Sequence, residues 1–313
     1  QQHVSASDAD STESPPLFFP ASPHLFVRGP DNLREMGRND SNRNFICAKC
    51  HSGERPPYAD GQDTWNSTEF SAALDGACYS YGSAHAGERG MKTLTCVHCH
   101  DPHKGIGKKW PLTPAQDDRK CVDCHQQFER PAAVAAHTHH PVGSAGSRCM
   151  NCHMPKINEG MQDMVRSHRI TKPTGKSMIE ANQPNACNLC HLDKPIDWTI
   201  GLLRERYGGE HVYSETELTA NYPDRDGPVG RGWLNSPHAP TRLSASWALT
   251  KANARWALED LLDGLNDSHL INRQFLQSGL DEMLGVSLKE RGYQFYMDEP
   301  RRREVIKTLK QDF

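Results

Sequence analysis

The chain is short of the residues from which a protein usually builds a core. Only 36% of its 313 residues are hydrophobic, 7% are aromatic, and the mean hydropathy is −0.75. Such values are typical of a poorly cored or partly disordered chain. No apolar run is long enough to cross a bilayer, so no membrane span is expected. A folded state of this chain therefore requires apolar volume from a source other than its side chains.

An excess of positive charge is also missing. Lysine and arginine number 36 against 39 aspartates and glutamates, which gives a formal net charge of −3. No basic stripe stands out from this balance, so nucleic acid is not an expected partner. The strand–helix–strand context of redox-active Cys-x-x-Cys sites is absent as well.

Cysteine and histidine are abundant instead. Ten of the 11 cysteines fall into five Cys-x-x-Cys-His pentapeptides, the signature of c-type haem attachment. Two thiols add across the two vinyl groups of one haem, and the histidine that follows binds the iron as the proximal ligand. The five motifs consist of Cys47, Cys50 and His51; Cys96, Cys99 and His100; Cys121, Cys124 and His125; Cys149, Cys152 and His153; and Cys187, Cys190 and His191.

Two other uses of these cysteines are less consistent with the pattern. A zinc site takes four Cys or His ligands but does not require a histidine directly after every second cysteine. Disulfides would not require one either. We therefore expect five covalently attached haem c groups, which also supply the missing apolar volume. Cys78, the cysteine left over, is expected to be a small buried apolar residue.

The haems change the expected charge and partners. Their propionates and ferric irons would bring the oxidised protein to a net charge of about −8. An acidic surface lined with haem suits a basic docking patch on another redox protein. Covalent haem attachment of this type takes place outside the cytoplasm, and the chain begins at Gln1. The expected location is therefore periplasmic or extracellular, with a signal peptide removed.

Composition divides the chain into three predicted parts. Residues 1–39 form an N-terminal arm, residues 40–192 a pentahaem domain rich in turn-forming residues, and residues 193–313 an α-helical domain. Pro195 and Gly208 bracket one predicted helix, and "EPRRREVIKTLKQDF" forms a last one. Arg242 and Arg273 are each followed seven residues later by leucine, which resembles HEAT-like repeats. The predicted fold class is mainly coil and α, cored by haem, with little β.

Two segments resemble the multihaem cytochrome c family of bacterial electron-transfer proteins. They are residues 80–103 and residues 137–192, in which "CHMP", "SHRI" and "PNACNLCH" precede a helical-repeat tail. The resemblance implies distal iron ligands at five further histidines, which are His85, His103, His137, His140 and His168. His24 and His139 are reserve candidates. His103 is tethered too close to His100 to reach the far face of the same haem, so we expect it to serve a neighbouring haem.

Three functions remain open at this point. The first is a conduit of closely spaced, mostly bis-histidine haems that carries electrons to a redox partner, without substrate turnover of its own. The second is a multihaem oxidoreductase in which one open haem acts on a small nitrogen or sulfur compound. The third is a special case of the first, a homopolymer in which copies of the chain form a continuous filament.

Overall fold

A computed structural model of the protein describes residues 57–65, 69–88, 93–101, 113–208 and 211–313. The arm, the first haem motif (Cys47, Cys50 and His51), His24 and His103 lie outside the described residues. The chain divides into two compact units. The described part of the first lies between residues 69 and 137 and includes His168–Thr171, and the second contains 57–65, Thr138–Ser167 and Lys172–Phe313.

The described residues are mainly helical with little strand, as the sequence predicts. The helices are α1 (Glu69–Leu74), α2 (Ala77–Ala84), α3 (Cys96–Cys99), α4 (Pro114–Val122), α5 (Pro131–Thr138), α6 (Cys149–His153), α7 (Lys176–Glu180), α8 (Ile196–Tyr207), α9 (Glu215–Asn221), α10 (Val229–Leu234), α11 (Ala239–Lys251), α12 (Leu258–Gly264), α13 (Leu270–Leu284) and α14 (Glu299–Asp312). Two strands, β1 (Lys156–Glu159) and β2 (Met164–Arg166), form an antiparallel hairpin. Short 3-10 turns cover Gln126–Glu129, Ala145–Ser147 and Arg255–Ala257.

The first unit is made of short helices that bury little of their own surface. In its described part, Ala72 is the buried apolar side chain. The segment His168–Thr171 joins this unit because the Ala77 amide, in the first turn of α2, donates to the Ile170 carbonyl at 2.9 Å. Gly76 permits this approach, since a Cβ there would lie 3.0 Å from the Ile170 nitrogen.

The second unit has a continuous hydrophobic core. It extends from Ile179 in α7 through Trp233 in α10 to Leu309 in α14. The hairpin packs on this helical region, because Met164 of β2 lies with Leu243 of α11 and Phe275 of α13 in a smaller buried cluster. The helices that follow the haem motifs therefore support the hairpin rather than standing apart from it.

The helical tail contains the same arginine-to-carbonyl hydrogen bond at three places. Helices α11, α13 and α14 each carry an arginine near the N-terminus whose guanidinium donates to a carbonyl of the preceding loop. The three hydrogen bonds join Arg242 to Ser236 at 2.7 Å, Arg273 to Asp267 at 2.6 Å and Arg302 to Met297 at 2.5 Å. The leucines that follow each arginine by seven positions, Leu249, Leu280 and Leu309, are all 0% exposed. The repeat expected from Arg242 and Arg273 thus extends to the last helix.

Local sequence signals located the tail helices correctly. The helix predicted between Pro195 and Gly208 is α8, with Pro195 as its N-cap and Gly208 as its C-cap at φ 99°. The two compact units do not coincide with the predicted ranges 1–39, 40–192 and 193–313. Leu192, next to the last motif histidine, is buried in the same core as the tail helices. The three ranges, which are based on composition, stay a prediction.

Candidate functional site

Each described motif folds as a single helical turn. The amide of the motif histidine donates to the carbonyl of the first cysteine at 2.9 Å for His100 and for His125, and at 3.0 Å for His191. The fourth motif is the helix α6 itself. Residues at i, i+3 and i+4 of a helical turn lie on one face. The spacing Cys-x-x-Cys-His therefore presents two thiols and one imidazole to the same side, as attachment of one flat group requires.

His98 within the second motif has a structural role. Its Nδ1 accepts a hydrogen bond from the Thr95 amide at 2.9 Å, and the two residues form a capping box at the start of α3. This reciprocal cap satisfies amides that a four-residue helix could not pair internally. His98 therefore caps the start of α3.

The first unit brings together one proximal and one distal candidate. The rings of His100 and His168 have centroids 6.0 Å apart and planes inclined by 23°. His168 is placed by the segment that pairs with the start of α2 through Ile170, so its position depends on contacts far from the second motif.

The second unit brings together a further pair. The rings of His140 and His191 have centroids 6.2 Å apart and planes inclined by 29°. The Nδ1 atom of His140 hydrogen-bonds the Thr138 carbonyl at 2.6 Å, which leaves Nε2 as the nitrogen able to bind a metal. Gly146 makes room for this ring, since a Cβ at that position would lie 2.2 Å from Cδ2 of His140.

The separations of the two pairs leave room for a metal ion between two imidazoles. A metal–imidazole bond is about 2.0 Å and a ring centroid lies about 1.2 Å behind its nitrogen, so two imidazoles on opposite sides of one ion have centroids about 6.4 Å apart. Rings joined end to end by a direct hydrogen bond of about 2.9 Å would have centroids about 5.3 Å apart. The observed 6.0 and 6.2 Å are closer to the first value than to the second.

Three other distal candidates lie against aromatic rings. His85 packs on Tyr81 with centroids 4.1 Å apart, and its Nδ1 lies 2.9 Å from the Tyr81 carbonyl oxygen. His137 lies 4.8 Å from the Phe128 ring, and His139, at φ 55°, lies 5.3 Å from Tyr207. Their assignment to particular haems stays a prediction, as does that of His103 and His24.

In each unit, a motif cysteine has a pKa that is raised by burial and by the thiol of a neighbouring motif. Burial raises the pKa of Cys99, and the nearby thiols of Cys78 and Cys124 raise it further, while Lys120 lowers it. Cys78 is half-buried rather than fully buried. The second and third motifs are therefore close together in the first unit.

The fourth and fifth motifs are close together in the second unit. Burial raises the pKa of Cys187 to about 11, with further contributions from Cys152 and Cys190. Burial followed by the proximity of His140 lowers the pKa of His191, and the Trp198 ring lies 4.9 Å from the His191 ring. A neutral imidazole is the form that binds a metal.

A buried polar network fixes the fifth motif. The Asn185 side chain accepts from the Asn188 amide at 2.9 Å, and Oδ1 of Asn188 accepts from the Thr199 hydroxyl at 2.7 Å. Asn188 also donates to the His191 carbonyl at 3.2 Å. Asn188 is 0% exposed although it occupies a variable position of the motif. Sequence reasoning missed this role, for which the asparagines of "PNACNLC" were the available signal.

No protein family model matches the chain, and no solved structure matches it. Among the described residues, no group of three or more His, Cys, Asp and Glu side chains is arranged to hold an ion, and no described helix is long and apolar enough to span a bilayer. The two histidine pairs are therefore the features from which a function must be argued.

Proposed function

We propose that the chain is a pentahaem c-type cytochrome that carries electrons through closely spaced haems. The observation that carries the proposal is the pairing of His100 with His168 and of His140 with His191 at the separation of two axial ligands. Each pair contains the histidine of a Cys-x-x-Cys-His motif and a histidine from another part of the chain. A porphyrin supplies four ligands to its iron, so two opposed imidazoles complete the set.

The residues fit the group that they would hold. Haem supplies an iron that accepts and releases one electron reversibly. Cys96 and Cys99 would attach one such group, and Cys187 and Cys190 another. The paired histidines would hold each iron from two sides, which would leave no position at the metal for a substrate. This arrangement favours electron transfer over catalysis at these two sites.

The clustering of the attachment sites favours transfer between neighbours. The thiol of Cys124 contributes to the raised pKa of Cys99 in the first unit, and the thiol of Cys152 contributes to the raised pKa of Cys187 in the second. Groups attached at such sites would lie side by side. Export from the cytoplasm, and transfer to other redox proteins or to further copies of the chain, belong to the same proposal.

The test is ligation counted in the mature protein. A pyridine haemochrome assay on the wild type should give five haems per chain. Carbon monoxide binding to the reduced protein should then rise by one equivalent in His168→Ala and in His140→Ala, and by two in the double variant, because each change opens one axial position. His211→Ala is the matched control, since the described hydrogen bond of His211 is made by its carbonyl.

Two results would contradict the proposal. A wild type without covalent haem would remove it altogether. Variants that keep five haems and bind no more carbon monoxide than the wild type would show that these histidines are not axial ligands, and the electron conduit would lose its supporting observation.

A further inference from the structure

Arg166, the last residue of β2, holds the helix that carries the fourth motif. Its Nη1 donates to the carbonyls of Met150 at 2.8 Å and of Met154 at 3.0 Å, and its Nη2 donates to Oδ1 of Asn151 at 2.8 Å. These partners lie within and directly after α6, the turn that ends at His153. The guanidinium therefore lies against the end of the helix that presents the proximal histidine.

The strand fixes the position of this charge. Met164 of β2 is 1% exposed and packs against Leu243 and Phe275 of the tail. The planar guanidinium is always protonated and binds here through three donor contacts. A cation in this place also offsets the partial negative charge that carbonyls carry at a helix C-terminus.

We propose that Arg166 raises the reduction potential of the iron bound by His153. The inference rests on the proposed function and adds a role for a residue that is not a ligand. Reduction at this site adds one electron, drawn from a neighbouring haem or a redox partner that is thereby oxidised, and changes no covalent bond. A fixed positive charge favours the reduced, less positive state, and a half-buried location screens it less than bulk water would.

The proposal gives the fourth site a direction relative to its neighbours. Among neighbouring haems, the one with the highest reduction potential is reduced first. Arg166 would therefore favour electron transfer towards the fourth motif. Arg166 would act by its charge, without binding the iron or the porphyrin itself.

The test is a spectroelectrochemical titration of the haem-loaded protein, fitted with five one-electron components. Arg166→Gln should shift one component to lower potential, because the charge is lost while a donor amide remains. Arg166→Lys should leave that component near the wild-type value, because the charge is kept. Arg231→Gln is the matched control, since Arg231 forms an exposed ion pair with Asp260 at 2.9 Å, and it should shift none.

The outcomes separate this inference from the proposed function. Five covalent haems in Arg166→Gln with all five potentials unchanged would overturn the role of Arg166 and leave the cytochrome proposal standing. If Arg166→Gln fails to mature, Arg166→Lys carries the test. A mature Arg166→Lys protein with wild-type potentials supports the role of charge, and loss of the fourth haem from it would show that only the forked hydrogen bonds matter. Absence of haem from the wild type would sink both proposals.

Discussion

The first compact unit places His100 directly after the short helix α3 and His168 in a loop, and its described part contains one buried apolar side chain, Ala72. The second unit places its pair beside a continuous core that extends from α7 to α14. Leu192, directly after the last motif, is a member of that core. Buried side chains therefore support the motifs of the second unit. The described part of the first unit offers few such side chains, so its motifs depend more on the group that we propose they bind. The difference teaches that haem is expected to be structural in the first unit and mainly functional in the second.

The largest difference between the two units is expected when haem is withheld. In a chain produced without haem attachment, we expect helices α8, α11 and α13 to keep slow hydrogen exchange, because buried leucines such as Leu249 and Leu280 each contribute about 1.5–3 kcal/mol. Helices α1 and α2 should exchange at the rate of an unfolded chain. Hydrogen exchange followed by mass spectrometry measures both. Equal protection of the two units in the haem-free chain would refute this view.

The substitution Gly146→Ala should disturb the second pair while leaving the tail folded. The new Cβ would lie 2.2 Å from the His140 ring, which is closer than non-bonded atoms come to each other. The ring must therefore move from its position beside His191. We expect one haem to become high-spin, with a loss of about 1–3 kcal/mol of stability from overpacking. Absorption and electron paramagnetic resonance spectra report the spin state.

Gly201→Ala is the matched control for this change. A Cβ at Gly201 meets nothing within 4 Å, and the residue lies on the exposed face of α8. Alanine there should leave every haem low-spin and stabilise the helix by about 0.5–1 kcal/mol. A Gly146→Ala protein with the wild-type spectrum would show that His140 does not depend on this space.

Sequence patterns predicted what is local and missed what is long-range. The motifs define their own helical turns, Pro195 and Gly208 located α8, and the segment "EPRRREVIKTLKQDF" located α14, because neighbouring residues determine these features. The pairing of His100 with His168 could not be predicted, since it depends on the contact between Ile170 and the start of α2. The resemblance supplied His168 and His140 as candidates but not their partners.

Replacing Asn188 by alanine should affect the fifth motif selectively. The change would leave the buried Thr199 hydroxyl without its 2.7 Å acceptor and the partly buried His191 carbonyl without its 3.2 Å donor. A buried polar group left unsatisfied costs about 1–3 kcal/mol. We expect a lower unfolding midpoint and incomplete attachment of one haem, measured by calorimetry and intact mass. Asn266→Ala, which removes a contact to Arg302 in the tail, should lower stability without loss of haem.

The last prediction concerns the charge of Asp267 in the tail. It tests whether side chains, rather than haem, stabilise the second unit. Burial alone would raise the pKa of Asp267, but Arg242, the His269 amide and Asn272 donate to it and hold its pKa below the ordinary 3.8. The folded state therefore favours the carboxylate. Its contribution, about 1–3 kcal/mol for hydrogen bonds to a charged group, is present above the unfolded pKa and is lost as pH falls through the folded one.

The stability difference between the wild type and Asp267→Asn should consequently shrink as the pH is lowered from about 6 to about 2.5. Thermal unfolding followed by far-ultraviolet circular dichroism measures it, with Asp260→Asn as the control, because Asp260 pairs with Arg231 and is more exposed than Asp267. A difference that stays constant over this range would mean that the Arg242–Asp267 pair stabilises the tail by its shape and hydrogen bonds rather than by its charge.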